Sequence, residues 1–131
     1  MGVARESRLI VGCLVLKNLS WGALQEFTDR LPNLPKADRY CTDGMATYQQ
    51  LMWPDGSEHV ISQGKEETFT IESLNADLRT YLGRLKRRSR CFSRSWEALT
   101  KAVRLFVWHY NRRRRIILAH PKYRNALPLL V

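Results

Sequence analysis

Two acidic side chains stand at positions from which a carboxylate can do chemistry, and Asp43 is the first of them. It follows a short candidate strand and precedes Gly44, which is a turn signal. At the end of a strand, the carboxylate would lie at the C-terminal edge of a sheet, where α/β folds bind ligands. An Asp that only forms a turn before glycine has the same appearance, and position alone favours that simpler interpretation.

Glu72 is the second acid, and it falls in the first turn of a predicted long helix. The helix dipole alone favours an acid there. It shares one helix face with three polar residues, Asn75, Arg79 and Lys86. A carboxylate, an amide and two cations in one line are typical of a metal ligand flanked by phosphate-binding groups. A solvated helix face has the same pattern, so the spacing leaves both interpretations open.

The elements that must position these acids follow from the apolar periodicity. Strands are predicted at residues 9–16, 39–42 and 59–62, and helices at residues 21–31, 46–52, 70–87 and 95–112. Ser20 is expected to cap the first helix. Strands that alternate with helices, followed by helices alone, predict an α/β fold with a mixed sheet. Three strands are few for a complete domain of this class.

Apolar stripes predict the buried faces of the two long helices. The stripes consist of Ile71, Leu74, Leu78, Leu82 and Leu85 in the first helix and Trp96, Leu99, Val103, Phe106 and Tyr110 in the second. The aromatic residues Phe92, Trp96 and Trp108 are expected in the core rather than as stacking platforms. His59, His109 and His120 have no recognisable partner. From residue 112 onward no clear period is present, which predicts an irregular tail.

The charge of the chain predicts a polyanionic partner. Lys and Arg number 22 against 12 Asp and Glu, which gives a net charge of +10. Thirteen cations between residues 79 and 115 stand against the single acid Glu97, whereas the first 78 residues are slightly acidic. A basic run at the end of the first long helix contains Arg84, Lys86, Arg87, Arg88 and Arg90, and a second run, residues 112–115, follows the last helix. A solvated helix end or an inert basic surface is the simpler alternative.

Composition also argues against several classes of protein. Cys13, Cys41 and Cys91 are far apart, have no partner at zinc-ligand spacing and are odd in number, which predicts reduced thiols in a cytosolic protein. The longest apolar run, residues 9–16, is too short to span a membrane, and no signal peptide is visible. We therefore expect a cytoplasmic protein, associated with the nucleoid when bound to DNA, with no membrane partner.

Five short motifs together resemble transposases of the insertion-sequence-one family. They lie in order at residues 41–48, 60–65, 70–79, 82–94 and 106–113, and the ordered set extends over roughly residues 7–115. Each motif alone is weak, but their order and short spacing make the set specific. The resemblance implies a ribonuclease-H-like mixed sheet with flanking helices and a DDE active site, which is built from three acidic residues.

Within that resemblance the second acid falls on Asp43 and the third on Glu72, while Asn75 and Arg79 match the residues that accompany the third acid. The implied cofactor is Mg²⁺, because strand cleavage and transfer are in-line displacements at phosphorus that two metal ions assist. Mg²⁺ takes carboxylates, waters and phosphate oxygens as ligands. The basic run at residues 84–90 then becomes a set of expected contacts with DNA phosphates, which would be sensitive to salt and tolerant of sequence.

The sequence departs from the family pattern at the first acid, which falls on Ala4. Glu6 lies two residues further on, and in a strand its side chain would point to the same side; it could substitute if the register were shifted. Most of the first strand of the pattern is expected to be missing, as is the family's N-terminal DNA-binding region of zinc finger and helix-turn-helix. The expected organisation is a truncated catalytic portion at residues 1–115 and a tail at residues 116–131.

These observations predict DNA transposition by a DDE transposase fragment whose active site is incomplete. Expected partners are the transposon ends and target DNA, with a second copy or the full-length transposase as a further partner. A non-catalytic DNA-binding regulator of transposition is the alternative. A basic RNA-binding protein is a third reading, but it does not explain the context of Asp43 and Glu72.

Overall fold

The computed structural model describes residues 1–34, 37–62, 64, 68–82 and 95–123. These residues form strands β1 (Gly2–Val3), β2 (Ile10–Gly12), β3 (Arg39–Thr42) and β4 (Glu58–Ile61), and helices α1 (Trp21–Asp29), α2 (Ala46–Gln49), α3 (Phe69–Tyr81) and α4 (Trp96–Ala119). Short 3-10 turns occupy Leu31–Asn33 and Pro121–Tyr123. The chain divides into a split unit, Met1–Val15 with Ile71–Val131, and a central unit, Leu16–Thr70.

A β-hairpin opens the split unit. β1 and β2 pair antiparallel, with Val3 opposite Ile10. The connecting turn is closed by backbone hydrogen bonds from Ala4 N to Leu9 O (2.9 Å) and from Arg8 N to Ala4 O (2.8 Å). Arg8 adopts a left-handed backbone with φ of 57°, a conformation that is uncommon outside glycine. β2 pairs with β1 along one edge, and its other edge faces α4.

The core of the split unit forms where β2, α3 and α4 each contribute one buried side chain. These are Ile10, Leu74 and Phe106, with Leu78, Leu82 and Tyr110 packed against them. Of the predicted α3 stripe, Leu74 is buried, whereas Ile71, Leu78 and Leu82 are half-buried. Val103 and Phe106 of the α4 stripe are buried as expected. Leu85 and Phe92 lie outside the described residues.

Two tryptophans on α4 contradict the core prediction. The side chain of Trp96 is 38% exposed and that of Trp108 is 54% exposed. Trp96 lies at the first position of the helix, where the turn that would cover it has not begun. Trp108 follows Phe106 by two residues, about 200° around the helix, so it faces away from the buried stripe.

Helix α4 is longer than predicted, since it continues through the basic run to Ala119. Arginine is a good helix former, so four successive arginines do not end a helix. Ile117 is buried and extends the stripe of Val103 and Phe106 by further turns. The prediction that residues 112–115 follow the last helix is wrong, and these residues belong to it.

The central unit packs α1 against the segment after α2. Ser20 caps α1 as predicted, because its hydroxyl accepts a hydrogen bond from Ala23 N. Leu24, Leu31 and Leu51 are buried. The buried Gln25 carboxamide bonds both backbone groups of Met52: Met52 N donates to Oε1 (3.0 Å) and Nε2 donates to Met52 O (3.2 Å).

Strands β3 and β4 form a parallel pair in the central unit. Tyr40 lies opposite His59 and Thr42 opposite Ile61. The α/β class is confirmed, but the described residues form two separate two-stranded sheets, one antiparallel and one parallel, instead of one mixed sheet. Across those same residues, we find no helix with the length and hydropathy needed to cross a lipid bilayer.

Candidate active site

Asp43 lies at the C-terminal edge of the parallel pair, as the sequence predicted. β3 ends at Thr42 and β4 at Ile61, and parallel strands end at the same edge. A backbone hydrogen bond from Ser62 N to Thr42 O (2.9 Å) extends the pairing to this edge. Asp43 follows immediately and is exposed, so its carboxylate is accessible beside the strand ends.

The Asp43 carboxylate accepts one local hydrogen bond and can accept others. Its Oδ1 accepts a hydrogen bond from Met45 N at 3.2 Å, which sets the turn that leads into α2. The turn interpretation is thus confirmed. Within the described ranges no cation pairs with this carboxylate, and one carboxylate can accept about four hydrogen bonds. A turn residue at this position can therefore still bind a ligand.

Tyr48 is the titratable neighbour of Asp43. Burial raises the pKa of the Tyr48 hydroxyl, and the negative charge of Asp43 raises that pKa further. Both effects favour the neutral phenol, which keeps a hydrogen-bond donor near the carboxylate over the physiological pH range. Sequence reasoning missed this neighbour because Tyr48 has the pattern of an ordinary residue of a short helix.

A stack of three rings involves both strands of the parallel pair that ends at Asp43. The Trp53 ring stacks on His59, with ring centroids 4.5 Å apart, and on Tyr40 at 5.2 Å. His59 Nε2 lies 2.7 Å from Thr42 Oγ1, and burial lowers the His59 pKa. The expectation that His59 has no partner is wrong. Tyr40 and His59 meet because they are opposite each other in the register, which the sequence alone did not fix.

Glu72 lies in the first turn of α3, as predicted. Its side chain is exposed, Asn75 on the same face is half-buried, and Arg79 is exposed. Glu72 makes no ion pair with any residue in the described segments. The remaining predicted DNA contacts, Arg84, Lys86, Arg87, Arg88 and Arg90, lie outside the described residues. Asp43 belongs to the central unit and Glu72 to the split unit.

Ala4 marks the end of β1, and both of its backbone groups close the hairpin turn. A methyl side chain at this position cannot ligate a metal. Glu6 lies in the turn between β1 and β2 and is exposed. It is not in a strand, so the expectation that its side chain shares a strand face with position 4 does not apply to this structure.

Three side chains of α4 hold this hairpin in place. Tyr110 Oη donates to Arg8 O (3.0 Å), and Arg114 Nε donates to Ser7 O (2.8 Å). Asn111 forms two hydrogen bonds with the backbone of Ile10. Tyr110 and Asn111, from the motif at 106–113, and the neighbouring Arg114 therefore position the hairpin turn and β2. Sequence reasoning missed this role because the contacts span about a hundred residues.

The available donors suit Mg²⁺ only in part. No group of three His, Cys, Asp or Glu side chains that could hold a metal ion is found among the residues described. Mg²⁺ is commonly bound by one or two carboxylates together with waters and substrate phosphates. Asp43 and Glu72 offer exposed carboxylates of the required hard-oxygen type. Each carboxylate, taken by itself, has the donor chemistry of a Mg²⁺ ligand.

A sequence model of the protein family described as IS1 transposase matches residues 36–115. The chain belongs to the IS1 transposase family. The match runs from before β3 into the arginine run of α4, and it includes both Asp43 and Glu72. Ala4 and the hairpin lie before the matched residues. No curated protein and no solved structure matches the chain.

Proposed function

We propose that this chain acts on DNA as a DDE transposase in which Asp43 and Glu72 are two of the catalytic acids. Membership of the IS1 transposase family supports a function in DNA transposition. The observation that carries the proposal is that one family match spans both acids in order, with Asp43 at a strand end and Glu72 in a first helical turn.

The proposed chemistry is metal-assisted cleavage and transfer of a DNA strand. Asp43 and Glu72 would hold Mg²⁺, which when bound activates the attacking oxygen and stabilises the leaving oxygen at phosphorus. Asn75 and Arg79 share the Glu72 face and would orient a phosphate by hydrogen bonding and charge. The basic run at residues 84–90 would bind neighbouring phosphates without reading sequence. The DNA substrates would be transposon ends and target, in the cytoplasm.

Ala4 limits what the chain can do alone. The family pattern calls for an acid there, and a methyl group has no lone pair for a metal. We therefore expect weak or absent strand transfer by this chain in isolation. A second copy or a full-length transposase in the same multimer would supply the missing acid.

A non-catalytic regulator is the second candidate, and Ala4 is the observation that favours it. A chain that binds transposon ends without a complete set of acids would compete with the active enzyme or join its multimer. The two candidates differ in their need for Asp43 and Glu72, because competition for DNA requires the cations and not the carboxylates.

Calorimetric titration with Mn²⁺ and Mg²⁺ tests the metal site. Asp43→Asn and Glu72→Gln should each weaken binding to the full chain. The chain contains matched controls: Asp55 precedes Gly56 in an exposed turn, and Glu97 is a first-turn acid of α4. Asp55→Asn and Glu97→Gln should leave binding unchanged. Binding that is absent in the natural chain, or equally lost in the controls, would rule out the catalytic proposal.

A duplex-DNA shift assay over a salt series tests the proposal that the chain is a non-catalytic regulator. If the chain is a regulator, its affinity for DNA should fall steeply as the salt concentration rises. That affinity should be the same for Asp43→Asn as for the natural chain. Affinity that is independent of salt would count against phosphate contacts altogether.

A further inference from the structure

An open groove of about 580 Å³ runs between β2 and α4. Its lining includes Val11 and Cys13 on the strand side and Trp108 on the helix side. All of the lining residues belong to the split unit. The groove is separate from Asp43, which lies in the central unit, and Glu72 is not among its lining residues.

Three arginines give the groove a strong positive charge. Arg104, Arg112 and Arg115 line it, and all three are exposed. No acidic side chain in the described stretches forms an ion pair with any of them. Their positions at i, i+8 and i+11 fall on one side of α4. With about 1.5 Å of rise per residue, the guanidinium groups follow the helix for about 16 Å.

An aromatic plane lies among these cations. Trp108 lines the groove with 54% of its side chain exposed, although a large apolar ring is usually buried. The Arg112 guanidinium lies over this ring, 5.4 Å from the centroid. Nucleic-acid bases stack on aromatic rings, such as indole, and on guanidinium planes.

We propose that the groove between β2 and α4 binds a single strand of DNA. Bases would stack on the Trp108–Arg112 pair, and Arg104 and Arg115 would bind the flanking phosphates. A duplex offers phosphates to the arginines, but its base faces are hidden within the helical stack. It would therefore offer Trp108 no base on which to stack. The combination of an exposed indole with unpaired cations therefore favours unpaired bases. A transposition reaction exposes such strands, but this inference does not rest on the metal chemistry of Asp43 and Glu72.

Fluorescence anisotropy with a labelled 20-nucleotide oligothymidine, in EDTA and over a salt series, tests the groove. Trp108→Ala should weaken binding by roughly fivefold or more at every salt concentration, because one stacking contact is lost. Trp108→Phe should recover most of the affinity. Replacement of both Arg104 and Arg115 by Gln should reduce the slope of log affinity against log salt by about 1.4, since each lost contact with a single strand removes about 0.7.

Two controls keep the test specific. Lys101 is an exposed cation of α4 outside the groove and is paired with Glu97, so Lys101→Gln should leave both affinity and slope unchanged. Trp108→Ala should leave the affinity for a duplex of equal length unchanged, because a duplex offers no unpaired base to the indole. The proposal is overturned if Trp108→Ala binds the single strand as the natural chain does, or if it weakens duplex binding equally. It is also overturned if Phe fails to rescue a variant with native circular dichroism, or if Lys101→Gln matches the arginine variant. Because EDTA removes divalent metal, failure here leaves the catalytic proposal separately testable.

Discussion

The side chain of Asn111 occupies the outer edge of β2 at Ile10. Asn111 Oδ1 accepts a hydrogen bond from Ile10 N at 2.9 Å, and Nδ2 donates to Ile10 O at 2.8 Å. Leu9 O faces the other way and accepts a hydrogen bond from the N–H of Ala4, which follows β1. The carboxamide therefore satisfies the two backbone groups that a neighbouring strand would otherwise bond. This contact joins residues 101 positions apart and fixes the hairpin on α4.

Asn111→Ala should destabilise the chain by about 2–4 kcal/mol, because two buried backbone groups lose their partners at about 1–3 kcal/mol each. Ile10 is only 4% exposed, so water cannot readily replace the amide. Urea unfolding followed by circular dichroism measures the change. Asn18→Ala is the matched control, since Asn18 makes one exposed hydrogen bond and should change stability by less than about 0.5 kcal/mol. Equal effects of the two substitutions would contradict the assigned role.

Gln25→Ala should have a smaller effect in the central unit. The Gln25 carboxamide is 6% exposed and bonds Met52 N and O, but Met52 itself is 69% exposed. Water can reach the freed backbone groups, so the loss should be about 0.5–1.5 kcal/mol per hydrogen bond. Gln49→Ala, at an exposed position of α2, is the control. Amide hydrogen exchange at Met52 should speed up in Gln25→Ala alone, and unchanged exchange there would refute the prediction.

Stability should fall as the pH drops below about 6.5, in part through His59. Burial lowers the pKa of folded His59 from its ordinary value of 6.5, so the unfolded chain takes up a proton first as the pH falls. The contribution of neutral His59 is thus present above pH 6.5 and is lost below it. His59→Gln should show a smaller loss of stability between pH 7 and pH 5 than the natural chain. His109→Gln controls for the loss of an imidazole, and an NMR titration of His59 checks the direction of the shift.

Ala4→Asp should increase metal-dependent strand cleavage if position 4 is where the missing acid belongs. The change adds the carboxylate at the end of β1, and Ala4→Asn supplies the same shape without the charge. Cleavage of a transposon-end duplex in Mg²⁺ should appear in the Asp variant and be abolished again by Asp43→Asn. Equal activity of the Asp and Asn variants would show that position 4 supplies no ligand.

Local signals were the predictable part of this fold. The strand at Arg39–Thr42, the Ser20 cap and the placement of Glu72 in a first turn were all predicted, because each depends on neighbours within about four residues. Asp43 was placed at its sheet edge for the same reason. Metal binding by Asp43 and Glu72 stays a prediction.

Features that depend on distant partners were not predictable in the same way. β1 has only two residues and exists through its pairing with β2. The partner of His59 depends on strand register, and the exposure of Trp108 depends on which face of α4 meets β2. The extension of α4 was within reach of the sequence, since Ile117 continues the apolar stripe, but four arginines were read as a tail.

The split unit has a consequence for how the chain acquires its structure. Met1–Val15 leaves the ribosome long before α4, and its principal hydrogen bonds are made to α4. The Gln25–Met52 contact of the central unit closes over 27 positions, which costs about 1 kcal/mol less loop-closure entropy than the contact between Asn111 and Ile10. Pulsed hydrogen exchange during refolding should therefore protect Met52 before Ile10. Until α4 is made, the nascent hairpin exposes apolar side chains and a strand edge with unsatisfied backbone groups. We therefore expect the chain to be most prone to misassociation during this interval.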